Sequence, residues 1–239
     1  MKSFCFIIAY FGKFNNYFNL WLESCRCNPT VDWYIITDND SEYDYPDNVH
    51  RIICSMDELR ERVQSKFDFP ISLKYPYKLC DLKPAYGYIF DDIIKDYDYW
   101  GWCDVDVIYG DIRKFFPDET IEGYDMLSEY GHFCLLRNSE KMNRLFMTAL
   151  EDIPDYRQCF GDDMNYIFDE VAFRLFARHR DVKIFSVEDK FFDADPFVRE
   201  FKPCRHNKGF NKNARYIFEF NSQKSQWGGK WFINSYLRI

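Results

Sequence analysis

The chain has 239 residues and a net charge of −8, with 47% hydrophobic and 29% charged side chains. That much apolar material builds a packed domain and excludes a disordered chain. The acidic balance excludes nucleic acid as the main partner, because a phosphate backbone is gripped by an excess of Lys and Arg. No apolar run approaches the roughly 20 residues of a membrane-spanning helix.

Ser3 to Ala9 is apolar throughout and reads as a buried strand rather than a targeting segment, since Tyr10, Gly12 and Lys13 follow at once. Tyr17, Leu20, Trp21 and Ser24 fall at helical spacing and predict a helix from Asn15 to Cys25, closed by Asn28-Pro29. Asp32 to Thr37 is a second strand ending in the polar loop Thr37-Asp38-Asn39-Asp40, and Val49 to Cys54 a third. Ser55-Met56-Asp57-Glu58 is a capping box opening a helix to Phe67. After a loop with two prolines, Pro84 is placed to start a helix to Ile94. The β-α-β-β-α order predicts a mixed, mainly parallel sheet flanked by helices, of the Rossmann-like kind. Ligands of such sheets bind at the carboxyl ends of the strands.

A strand then leads through Tyr97-Asp98-Tyr99-Trp100-Gly101-Trp102-Cys103 into Asp104-Val105-Asp106. In extended backbone the two carboxylates share one face while Val105 packs inward. Two such carboxylates repel unless a cation relieves them, and Mg²⁺ or Mn²⁺ takes oxygen ligands of this kind. In acidic proteins the tripeptide also occurs in solvated loops. Here its flanks are Trp100, Trp102, Val107 and Ile108, and charges set in an apolar run are rarely idle. Asp81, Lys78 and Lys83 cluster at a helix start, where the dipole and the ammonium groups favour an anion; ordinary capping by Asp81 is the alternative.

Downstream, Ile112 to Phe116 predicts a short helix. Tyr124 to Glu129 and His132 to Arg137 predict two strands, and Ser139 to Leu150 a capped helix. Asp169-Glu170 is expected to open a helix ending near His179, as acids complementing its dipole or as functional groups. Val182 to Val187 reads as a strand. Beyond it the period fades into a less regular C-terminal extension, with a possible strand at Tyr216 to Phe220 and a turn at Trp227 to Trp231. The expectation is a single domain over 1–239. Its nucleotide-binding half is 1–110, and 111–239 holds the acceptor half and extension.

The nine cysteines are odd in number and without regular spacing. Cys5, Cys54, Cys103 and Cys134 sit in apolar runs, and Cys25-Arg26-Cys27 is too tight for a zinc knuckle. This predicts nine free thiols and a cytoplasmic protein. Aromatic residues make up 21% of the chain, which predicts a ring-rich core with some rings available for sugar stacking.

The segment Trp100 to Asp111 resembles the Asp-x-Asp segment of bacterial glycosyltransferases of the GT-A fold, closest to a capsular-polysaccharide or lipopolysaccharide biosynthesis group. Pro76 to Phe90 fits the same likeness, which extends from Phe4 to Arg178. The resemblance implies a GT-A-like fold and transfer from a nucleoside-diphosphate sugar, with a UDP-sugar the expected donor. The implied acceptor is a glycan or lipid-linked glycan, met at the inner face of the cytoplasmic membrane through peripheral association. It implies Mn²⁺ or Mg²⁺ held by Asp104 and Asp106, with His206 as a third ligand by order along the chain. It implies that Tyr10-Phe11 and Thr37-Asp38 grip base and ribose, and that Lys78 and Lys83 meet phosphate or sugar. Asp81 would bind sugar hydroxyls, and Asp169 and Glu170 would reach the acceptor side, one as general base if the reaction inverts. Two rivals stand beside this. Asp104-Val105-Asp106-Val107 also fits the first motif of haloacid-dehalogenase-type phosphatases, with Asp104 as nucleophile, although that motif normally opens its chain. The aromatic content also suits a non-catalytic carbohydrate-binding protein.

Overall fold

Seven short apolar segments pair into one sheet in the computed structural model, which describes residues 1–186. The strands are β1 (Phe4–Ala9), β2 (Val31–Thr37), β3 (Val49–Ile53), β4 (Tyr99–Cys103), β5 (Met126–Tyr130), β6 (Phe133–Arg137) and β7 (Ile184–Phe185). Their order is β3-β2-β1-β4-β6-β5-β7. The first four in that order are parallel, β6 opposes both β4 and β5, and β7 is parallel to β5. The molecule is thus a mixed α/β fold with a mostly parallel sheet, as the alternation of segments predicts. His206, the strand at Tyr216 to Phe220 and the turn at Trp227 to Trp231 lie outside the described residues.

Side-chain alternation sorts each strand between two cores. Phe4, Phe6 and Ile8 of β1 join Val31, Trp33 and Ile35 of β2 on one face, under the helix α1 (Phe18–Arg26). Cys5 and Ile7 join Trp100, Trp102, Cys134 and Leu136 on the other. Both faces are covered, which is why the strands are apolar on both sides. Gly101 is required in β4: a Cβ there would lie 1.8 Å from the Cys134 carbonyl oxygen.

The helices depart from expectation where proline or a polar side chain interrupts them. The run expected from Pro84 begins earlier, at Pro76, and proceeds in short turns to Ile94: Pro76–Lys78, Leu79–Leu82, Lys83–Ala85, Tyr86–Ile89 and Asp91–Ile94. Pro84 lies inside it, and the missing N–H breaks the ladder. The helix expected from Ser139 to Leu150 is one turn, Glu140–Asn143, followed by a 3₁₀ turn at Leu145–Met147. At Ser55 the capping box is complete: its hydroxyl accepts from Glu58 N–H at 3.2 Å, and its own N–H donates to the Glu58 carboxylate at 2.7 Å. It starts α2 (Met56–Ser65). Ser55→Ala should cost about 1 kcal/mol, read as a lower midpoint in urea with unchanged slope. Among the described residues eight cysteines are free, and no helix is long and apolar enough to cross a membrane.

Candidate functional site at the strand-end rim

Because β1, β2 and β4 are parallel, their carboxyl ends lie on one rim. Tyr10, Asp38 and Asp104 stand one residue past those ends. The loops after β1 and β2 are tied together: Gly12 N–H donates to Asp38 Oδ1 at 2.6 Å, and Asn39 Nδ2 donates to the Gly12 carbonyl at 3.0 Å. Gly12 takes φ of +96°, which a side chain would resist. Two expected ligand contacts are corrected here. Phe11 is buried in the core, and Thr37 is fully buried with its hydroxyl accepting from Asn39 N–H at 3.1 Å. Both support the rim from beneath, whereas Tyr10 is half-buried and Asp38 exposed.

The carboxylate pair is not carried by extended backbone. β4 ends at Cys103, and Val105 and Asp106 form a turn. Val105 does pack inward, as expected. The turn is fixed by three hydrogen bonds. Asp104 N–H donates to the His132 carbonyl at 3.0 Å, Tyr109 OH to the Asp104 carbonyl at 2.9 Å, and Asn15 Nδ2 to the Val105 carbonyl at 3.4 Å. Asp106 is exposed to water yet ringed by protein. That partial burial, and then the charge of Asp104, push its carboxyl above the usual range. Asp106 in turn raises the phenols of Tyr10 and Tyr17, second to burial in each case. The two acids therefore share one electrostatic environment without relieving each other. Such a pair fits a hard divalent cation that completes its shell with water and phosphate oxygens. Among the described residues no three His, Cys, Asp or Glu side chains gather as a closed metal cage.

Lys83 joins the turn to the other half of the chain. Its ammonium donates to Asp104 Oδ1 at 2.8 Å and to the Gly131 carbonyl at 3.1 Å, and lies 3.1 Å from Asp169 Oδ2. Gly131 sits where β5 turns into β6, and Trp102 Nε1 donates to the same carbonyl at 3.1 Å. A Cβ at Gly131 would strike Glu170, 2.3 Å from its Cγ. Burial works against the charge on Lys83, but the two carboxylates outweigh it and hold the ammonium protonated. Asp169 is 3% exposed. Burial pushes its carboxyl up to about 6, against the pull of Lys83 and with help from Glu170. Asp169 and Glu170 do not open a helix as expected. The helix begins at Ala172, and Asp169 precedes it, directed at Lys83.

The raised carboxyl makes a pH prediction. Between the ordinary carboxylate range and about 6 the folded chain binds a proton at Asp169 that the unfolded chain does not. Its contribution to stability is therefore full at low pH and lost as pH rises through about 6. Asp169→Asn removes this slope. Relative to wild type the variant should gain about 3 kcal/mol between pH 4 and pH 7, measured by urea unfolding across that range.

Lys78 and Asp81 are placed behind the rim, not in it. They are 1% and 0% exposed and pair at 2.8 Å. The Lys78 ammonium also donates to the carbonyls of Cys159, at 2.6 Å, and Met164. Asp81 accepts from Tyr166 N–H at 3.0 Å and Phe168 N–H at 3.0 Å. With these atoms committed to the protein, the expected contacts of Lys78 with phosphate and Asp81 with sugar are corrected to a structural role. The pair pins the segment that carries Asp169.

Sequence reasoning passed over Asn15, Tyr17, Tyr130 and His132. His132 stacks on Tyr130 with ring centroids 5.5 Å apart, and its charge acts on Asp106. The available signal was the strand pair around Gly131: β5 runs parallel to β4, so its end returns to the same rim. A separate open cleft of about 980 Å³ shares no residue with the rim, and its Lys74 and Arg157 are already paired with Asp163 and Asp68.

A comparison with curated proteins finds no match to the chain. A family profile does match, over residues 6–228, an extent that takes in every rim residue named above. On that match the chain belongs to the family of unknown function DUF6625.

Proposed function

We propose that the protein is a metal-dependent glycosyltransferase that moves a sugar from a nucleoside-diphosphate sugar, a UDP-sugar foremost, to a surface-glycan acceptor. The observation that carries this is the Asp104–Lys83–Asp169 bridge, at 2.8 and 3.1 Å, beside the exposed Asp106. It sets a cation-ready carboxylate pair next to a buried carboxyl that titrates near neutrality. Asp104 and Asp106 would hold Mn²⁺ or Mg²⁺, which when bound stabilises charge on a diphosphate leaving group. Tyr10 and Asp38 lie on the same rim, toward the base and ribose. Lys83 keeps Asp104 and Asp169 in register. Asp169, pushed up to about 6, is poised to take the proton of an acceptor hydroxyl if the reaction inverts. Glu170 stands beside it at the acceptor side. The bond from sugar to phosphate breaks, the bond from sugar to acceptor oxygen forms, and the acceptor proton passes to Asp169.

The test is a nucleotide-sugar panel with and without Mn²⁺, scored for released nucleoside diphosphate. Slow Mn²⁺-dependent release without acceptor is expected, water replacing the hydroxyl. The Lys83 contact also suits an aspartyl nucleophile, so the phosphatase rival makes its own forecast: a phosphoenzyme at Asp104 and inorganic phosphate from small esters. Either of those results, or a panel in which no nucleotide sugar binds with Mn²⁺ present, overturns the transferase. Nucleotide binding without turnover would point to the binding protein instead.

A further inference from the structure

The helix Ala172–His179 is apolar on two sides. Ala172, Phe173, Phe176 and Ala177 are buried in the core. On the other side Ile167, Val171 and Leu175, spaced by four, are 50%, 55% and 37% exposed. Residues at that spacing form a continuous stripe. Ile167 takes left-handed backbone with φ of +53°, costly for a β-branched residue, and its side chain stays in water. Met164 and Tyr77, 57% and 70% exposed, extend the stripe; Asn165 Nδ2 donates to the Tyr77 carbonyl at 3.2 Å, and Lys78 to that of Met164. Scattered apolar residues need no explanation, but a contiguous row of five is the mark of a covered surface.

We propose that the row is the seat of the chain's own residues 187–239. Two observations identify this occupant over a second copy or a lipid surface. The first is where the chain leaves. β7 is parallel to β5 and hence to β4, so Phe185 ends at the strand-end rim. That is the rim from which the helix carrying Val171 departs, as the Asp169–Lys83 contact fixes. The second is charge and composition. Residues 187–239 hold ten Lys and Arg against six Asp and Glu, in a chain whose net charge is −8, and include twelve aromatic residues. The acidic excess therefore belongs wholly to the described body, whose row is bordered by exposed Asp162, Asp163 and Glu170. A basic, aromatic segment tethered at that rim is complementary to it in both charge and polarity, and the tether removes most of the entropic cost of association. The inference is independent of the reaction proposed above.

The test uses the full chain with p-benzoylphenylalanine in place of Val171, irradiated as an equal mixture of ordinary and ¹⁵N-labelled protein. Cross-links within one chain, to peptides between 187 and 239, are expected. Links that mix the two labels, or irradiation that joins Val171 to no peptide of that segment, overturn the proposal. Val171→Asp with Leu175→Asp is the second arm; both side chains are on the surface, so the core stays intact. Amide exchange in residues 187–239 should rise at least about tenfold while β1 and β4 keep wild-type protection. Unchanged exchange in that segment would equally overturn it.

Discussion

Lys78→Met should destabilise the protein by about 3–5 kcal/mol, the range for removing one partner of a buried ion pair. The ammonium is 1% exposed, and its loss strands Asp81, which is 0% exposed. The Cys159 and Met164 carbonyls lose their donor at the same time. Asp81 keeps the N–H groups of Tyr166 and Phe168, so part of its charge remains satisfied, and the double change Lys78→Met with Asp81→Leu should recover much of the loss. Urea unfolding of both variants measures this. A single variant within about 1 kcal/mol of wild type would show that the pair is dispensable. The same lesion has a local consequence. The segment 162–168 is held by this pair and leads directly into Asp169, so protection of the Tyr166 and Phe168 amides from exchange should fall before that of β1 or β4.

The second large effect falls on chemistry, not stability. Asp106→Asn should leave unfolding within about 0.5 kcal/mol of wild type, as expected for an exposed side chain. In the same variant Mn²⁺-dependent nucleotide binding should be lost by calorimetry, and any nucleotide-sugar hydrolysis should fall by at least about a hundredfold, or ~3 kcal/mol. Part of the reason is visible without a ligand: Asp106 is held above the usual carboxylate range by partial burial and by Asp104, a cost that a cation would relieve. Undiminished metal-dependent affinity would remove Asp106 from the site. Asp104→Asn is the less clean experiment, because Asp104 also anchors Lys83, and its loss would disturb Asp169.

The sheet was legible in the sequence because its cause is local. Phe4 to Ala9, Val31 to Thr37 and Tyr99 to Cys103 are apolar on both faces, and such strands call for a parallel sheet covered on both sides. The Ser55–Glu58 box declared a helix start by the same local chemistry, and Asp104-Val105-Asp106 declared itself by placing charge in an apolar run. By itself the sequence thus determined the strands, their probable direction and the rim where ligands meet such a sheet. What only the tertiary structure decided is which charges meet. Lys78 and Lys83 are five residues apart and look alike along the chain. The broken helical run turns the first into the core against Cys159 and Met164, and the second out to Asp104, Gly131 and Asp169. Phe11 and Thr37 were drawn under the rim and Asp106 left on it by packing against elements far away in sequence. No short-range pattern encodes that choice, because a side chain's fate there depends on which distant backbone arrives to bury it or to bond with it.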